Sequence, residues 1–168
     1  RLTRLWKDDE AGLRATAASA VKTLQKLGGS AQPVSELTVA PLAEARRQYA
    51  SSFDELQGGF GMAPKFPQPA RLMFLLQDEP QASADMALFT LDRMLAGGIY
   101  DQLGGGFHRY STDFEWRVPH FEKMLYDQAL IARAYLYAYR RTANEHYADT
   151  ARATLDCTLR DLRDPQGG

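Results

Sequence analysis

The stretch HFEKMLYDQALIARAYLYAYRR, residues 120–141, decides how this chain is read. On a helix of 3.6 residues per turn, Phe121, Leu125, Ala129, Ala132 and Leu136 form one apolar face. Ile131, Ala134 and Ala138 form a second, on the opposite side. A helix apolar on two sides expects neighbours on two sides. The segment after it is of another kind. It runs from Asn144, a good N-cap, to about Leu162, where Asp164-Pro165 closes it. Ala148, Ala151, Leu155, Leu159 and Leu162 share one face, and Asp149, Arg152, Asp156 and Arg160 the other, with Asp156 and Arg160 in the favoured acid-first order. An inner helix is thus followed by an outer one.

The alternation extends backwards. A helix from about Ala84 to Ala96, capped by Ser83 and stopped by Gly97-Gly98, reads as outer; one starting at Pro69, with Leu72, Met73, Phe74, Leu75 and Leu76, reads as inner. Another from Val39 to Phe53, with Thr38 as cap and Pro41 in its first turn, reads as outer. The first helix runs from Asp8 to Leu27, with Leu13, Ala17, Val21, Leu24 and Leu27 on one face and Gly28-Gly29 as stop. No segment alternates as a strand does; Val34 and Ile99 to Tyr110 are too broken by glycine and polar residues. The fold class is therefore all-α: six helices in antiparallel hairpins, in the outer–inner order that a double-ring α/α toroid requires. The handovers, Asp54 to Gln68 and Gly97 to Pro119, are long and aromatic, which argues for function rather than disorder. They rhyme, with Gly58-Gly59-Phe60 in one and Gly105-Gly106-Phe107 in the other, and Gly167-Gly168 begins a third. All three junctions belong at one end of the bundle.

With 20 Lys plus Arg against 21 Asp plus Glu, the charge gives no reason to expect nucleic acid or an anionic membrane, and no apolar run is long enough to span one. Cys157 is the single cysteine, which excludes an internal disulfide and CxxC chemistry and fits a reducing, cytoplasmic setting. Arg1 at the start and Gly167-Gly168 at the end read as cuts in a longer chain.

Chemistry-bearing residues concentrate between Gly98 and Asp127: Asp101, His108, Arg109, Tyr110, Asp113, Trp116, His120, Glu122, Lys123, Tyr126 and Asp127. Flat aromatics with polar edges, mixed with carboxylates and histidines, suit a sugar or polyol better than an apolar ligand. The helix is read as running from about His120 to Arg141, so His120, Lys123 and Asp127 share one sector at its N-terminal mouth, where the helix dipole favours a neutral imidazole able to act as base. Bland readings stand beside this one. Lys123 and Asp127 can be a simple i,i+4 pair, His120 a helix-entry residue, and Tyr110 and Trp116 loop packing. Lys65, in the first loop, can clamp an anionic group or belong to a rigid proline-fixed connector. His146 reads as solvated and Cys157 as a small core residue. His108, Asp113, His120 and Glu122 match no tight ligand spacing, so no metal is expected, and no cofactor motif is present; Gly104-Gly105-Gly106 is not followed by the Gly-Lys of a phosphate loop.

GGFGMAPKFP at 58–67 and GIYDQLGGGFHRYSTDFEWRVPHFEKMLYDQ at 98–128 resemble the YyaL-like, spermatogenesis-associated family of thioredoxin-domain-containing proteins. Met62 departs from the small residue expected there. The resemblance implies an N-terminal thioredoxin-like domain, absent here, followed by a six-hairpin α/α toroid like those of glycosidases and N-acylglucosamine 2-epimerases. On that view residues 1–168 are about the first half of the toroid, its second half being absent, and the segment alone is inactive. The expected function is carbohydrate-active, glycosidase-like or epimerase-like. His120 would be the acid/base and Asp113, Glu122 and Asp127 the candidate carboxylates. Phe107, Tyr110 and Trp116 would form a stacking platform with Lys65 and Arg109 as clamps, and His108, Lys123 and Tyr126 would complete one cavity. The alternative is a non-catalytic module that presents a client to the thioredoxin-like domain. Either way, an apolar flank of the inner helices should stay open, offering a surface for self-association.

Overall fold

The computed structural model describes residues 2–28 and 38–167 and divides into two compact units, residues 1–39 and 40–168. Val34, Gly29 and Gly168 lie outside the described residues.

The first unit holds α1 (Leu2–Asp8) and α2 (Glu10–Leu27). One helix was expected here. The break falls at Asp9, whose extended backbone and side chain cap α2: Oδ1 accepts the Gly12 N–H at 2.9 Å. Val21 and Leu24, on the apolar stripe of α2, are exposed.

The second unit holds α3 (Ala40–Ser52), α4 (Pro69–Gln77), α5 (Gln81–Ala96), α6 (Leu125–Thr142) and α7 (Glu145–Asp161). α4 packs on α5, α6 on α7, and α4 on α6, so the two inner helices are neighbours and each carries its outer partner. The core lies between them: Leu72, Leu75 and Leu76 from α4, Leu91 and Met94 from α5, Ile131, Ala134, Tyr135 and Ala138 from α6, Ala148 and Ala151 from α7. α4 is wrapped on its apolar side, whereas Leu125, Ala129 and Leu136 of α6 are exposed. So are Leu155 and Leu159 of α7 and Leu162 just after it, against expectation, because the packed stripe of α7 runs through Tyr147, Thr150, Thr154 and Cys157 instead. Arg160 pairs with Asp161 and donates to the Gly104 carbonyl, not to Asp156. Pro80, not Ser83, precedes α5; Ser83 Oγ donates to Asp78 Oδ2 at 2.7 Å.

The absence of any sheet was also expected, and a two-stranded ladder exists, β1 (Tyr110–Ser111) against β2 (Pro119–His120). It explains why α6 starts at Leu125 and not at His120. Pro119 disfavours helix at Val118. The Arg109 N–H donates to the Glu122 carbonyl and the Thr112 N–H to that of Val118, holding 118–122 extended. A further bridge joins the two loops, with Lys65 N donating to Ser111 O and Ser111 N to Lys65 O.

Both loops close on the same device. Asp54 Oδ1 accepts the N–H groups of Leu56 and Gln57, and its carbonyl accepts that of Gly58. Asp101 does the same with Leu103, Gly104 and Gly105. Positive φ at Gly58-Gly59 and at Gly105-Gly106 then turns each chain into Phe60 or Phe107, which bridges back to Phe53 or Tyr100. A lysine closes each socket. Lys65 Nζ donates to Asp54 Oδ2 at 2.6 Å and Gly58 O at 2.7 Å; Lys123 Nζ donates to Asp101 Oδ2 and Gly105 O, both at 2.7 Å.

Candidate functional site

The ladder of β1 and β2 and the first turn of α6 set one polar, aromatic surface. Tyr110 and His120 face each other across the ladder, rings stacked at 4.8 Å and 15°. Phe66 lies 4.8 Å from Tyr110 on another side. Glu122 Oε2 is 3.1 Å from Arg109 Nη1 and 3.6 Å from His120 Nδ1. The hydrogen bond to Glu122 raises the Arg109 pKa, with Tyr126 contributing, so the guanidinium is a fixed positive charge.

Asp127 sits behind this surface in the first turn of α6. It is only 8 % exposed, and its Oδ2 has no hydrogen-bond partner. Burial pushes its carboxyl up, Glu122 adds to this, and Arg109 opposes it. His108 packs edge-on to Phe121 at 5.1 Å, with a buried Nδ1 that also lacks a partner. Burial, then the Lys123 charge, lowers its pKa, so it is an uncharged imidazole at neutral pH. The structure therefore brings together His108, Arg109, Tyr110, His120, Glu122, Tyr126 and Asp127 on or beside one face.

Several expected site residues are elsewhere. Trp116 and Phe107 are fully buried and offer no stacking face to a ligand. The Trp116 indole N–H donates to Gln57 O at 2.9 Å, and its ring lies so close to Gly59 that a Cβ there would stand 2.5 Å from Cζ2. Phe107 is held by both amide atoms of Gln128. Lys65 is a buried socket lysine, 5.4 Å from the Trp116 ring, and is no clamp. Lys123 turns away from Asp127 to Asp101, so neither the i,i+4 pair nor the shared helical sector exists. The single cavity expected to join Lys123 and Trp116 to His120 is accordingly not formed by these side chains. Asp113 is engaged three times, by the N–H groups of Glu115 and Arg117 at Oδ1 and of Val118 at Oδ2, which hold its carboxyl down although burial acts against this. Sequence reasoning missed Phe66 and Phe121 as members of the surface, where both rings are exposed; their places beside Lys65, Pro67 and His120 in the sequence were the signal. Among the described residues no group of three or more His, Cys, Asp or Glu could hold a metal ion, and no helix is long and apolar enough to cross a membrane.

No family model matches the chain. Spermatogenesis-associated protein 20 of Homo sapiens is 40% identical over 181 residues, covering 100% of this chain and 23% of that protein. The Mus musculus protein of the same name is 40% identical over 163 residues, covering 92% and 20%. An uncharacterized protein of Caenorhabditis elegans is 38% identical over 149 residues, covering 84% and 20%. The chain thus spans about a quarter of the curated relatives it matches. Among solved structures, a sugar epimerase from a ruminal bacterium superposes with a TM-score of 0.62 at 16% identity, over 76% of this chain and 39% of that one. Cellobiose 2-epimerase from Bacillus thermoamylovorans gives 0.60 at 17%, over 77% and 39%. The resemblance first carried by the two loop motifs extends along the whole chain, which matches one segment of the spermatogenesis-associated protein 20 family and has the fold of part of a sugar-epimerase α/α toroid.

Proposed function

We propose that this chain is the sugar-binding part of a carbohydrate-active α/α toroid, epimerase-like in its chemistry. The observation that carries the reading is the convergence of a stacked Tyr110–His120 pair, the Arg109–Glu122 ion pair and the buried, unpartnered Asp127 oxygen on one face of an inner-helix mouth. An aromatic face flanked by fixed hydrogen-bonding groups is how a polyhydroxylated ring is held. Displacement by paired carboxylates needs two free ones, and within this segment Asp127 is the candidate without a partner. Asp113 is fully engaged, Asp54 and Asp101 close sockets, and Glu122 is bound to Arg109. Proton transfer to and from carbon, with His120 as acid and base and the Asp127 carboxylate as a hydrogen-bond acceptor for a sugar hydroxyl, asks only for what is present. In this reading the chain is one segment of a longer cytoplasmic protein whose thioredoxin-like domain precedes it.

The test uses the full-length polypeptide incubated with aldoses and N-acylhexosamines in deuterated water. Deuterium exchange at C2 that is lost in His120→Ala supports the reading. Binding of peptides but of no sugar, equally lost in His120→Ala, would favour the client-presenting module instead.

A further inference from the structure

Glu122 has an arrangement that a plain surface ion pair does not need. One oxygen, Oε2, lies 3.1 Å from Arg109 Nη1 and 3.6 Å from His120 Nδ1. Its own backbone is tied to both partners: the Arg109 N–H donates to the Glu122 carbonyl at 2.7 Å, and the Glu122 N–H donates to the His120 carbonyl at 2.7 Å. The carboxylate is therefore fixed between a permanent cation and an imidazole edge. The stack on Tyr110 sets the plane of the His120 ring. The 3.6 Å separation exceeds a made hydrogen bond, but such contacts are often long without ligand and tighten when the site fills. Asp113 cannot do the same, since it is spent on three backbone N–H groups.

We infer that Glu122 is the positioning residue of His120, its carboxylate taking the Nδ1–H and leaving Nε2 as the bare proton acceptor. A histidine's two nitrogens are distinct, and the partner of one decides the state of the other. Arg109 in turn holds the Glu122 carboxylate in place. The inference rests on the reading of His120 as the acid/base group, and it replaces the role of Glu122 as a reacting carboxylate with that of an orienting one.

The chain holds three histidines, so long-range nitrogen–proton NMR spectra of the labelled 168-residue protein resolve each tautomer. Above the ordinary histidine range, His120 should be in the Nδ1–H form. Glu122→Ala should move it to the Nε2–H form that a free imidazole prefers. Glu122→Gln, whose amide oxygen still accepts, should restore Nδ1–H and keeps the inference testable if the alanine variant folds poorly. His146, remote on α7, should not change in either variant. In the full-length protein the alanine variant should lose on the order of 10²-fold in kcat with KM little changed, and the glutamine variant should recover most of it. An Nε2–H tautomer in the unmodified protein, or a tautomer indifferent to Glu122→Ala, would overturn the inference. Failure of every sugar to bind or exchange, with the tautomer still controlled by Glu122, would sink the sugar reading and leave the positioning role standing.

Discussion

Asp127 has a buried carboxyl oxygen with no partner, and a carboxyl held above its ordinary 3.8 by that burial. A raised carboxylate pKa means that the folded state binds the proton more tightly than the unfolded one. Stability from this group is therefore full below 3.8 and is lost as pH rises through the raised value. Asp127→Asn should stabilise the fold by on the order of 1 kcal/mol at neutral pH, and the gain should vanish in acid. Thermal melts across pH read this directly, and an asparagine variant that is destabilised at neutral pH would show that the oxygen has a partner after all. The residue types of the site were legible in the sequence, because histidine, arginine, tyrosine and carboxylates cluster within 108–127. Their partners were not. Asp113 looked like a candidate carboxylate, but three backbone N–H groups that no side-chain pattern announces consume it. Trp116 looked like a platform, yet a positive φ turns it inward beneath Gly59.

Among the elements, α4, the end of α5 and the α6–α7 hairpin were readable from periodicity, Pro69, Gly97 and Asn144. The start of α6 was not. Helical periodicity favours His120, but ladder hydrogen bonds from 109–112 claim 118–122 first, and tertiary pairing overrides local propensity. The loops that carry those strands depend on the two lysine sockets. Lys65→Met leaves Asp54 Oδ2 and the Gly58 carbonyl without their donor and should cost about 3 kcal/mol. Gly59→Ala forces a Cβ against the Trp116 ring at a positive φ and should cost a similar amount, about 3 kcal/mol. Chemical denaturation of both variants checks the two figures. Losses below a few tenths of a kcal/mol would mean that these sockets do not hold the loops.

At the scale of the molecule, outer–inner alternation was enough to read the toroid architecture, because two-sided and one-sided helices differ in composition and not only in period. The open apolar flank expected on both inner helices is found on α6 and not on α4. Leu72, Leu75 and Leu76 wrap α4, whereas α6 leaves Leu125 and Leu136 exposed next to Phe121. Apolar surface of this kind favours association in water. Sedimentation of the 168-residue protein should show concentration-dependent self-association, weakened by Leu125→Lys with Leu136→Lys. A monomer at every concentration would mean that the α6 stripe is tolerated in solvent.

The two sockets share the same lysine bonds to a carboxylate and a glycine carbonyl, yet their lysines arrive from different distances: Lys65 lies 11 residues beyond Asp54, and Lys123 lies 22 beyond Asp101. The latch is thus indifferent to how much chain is spooled out before it shuts. The short excursion, from Phe60 to Lys65, contributes a turn and the bridge to Ser111. The long one, from Phe107 to Lys123, is where His108, Arg109, Tyr110, His120 and Glu122 all reside. Innovation can accumulate inside such a parenthesis without disturbing the sentence around it, so descendants of this architecture should differ most in reactivity where they differ in the length and wording of that second insert.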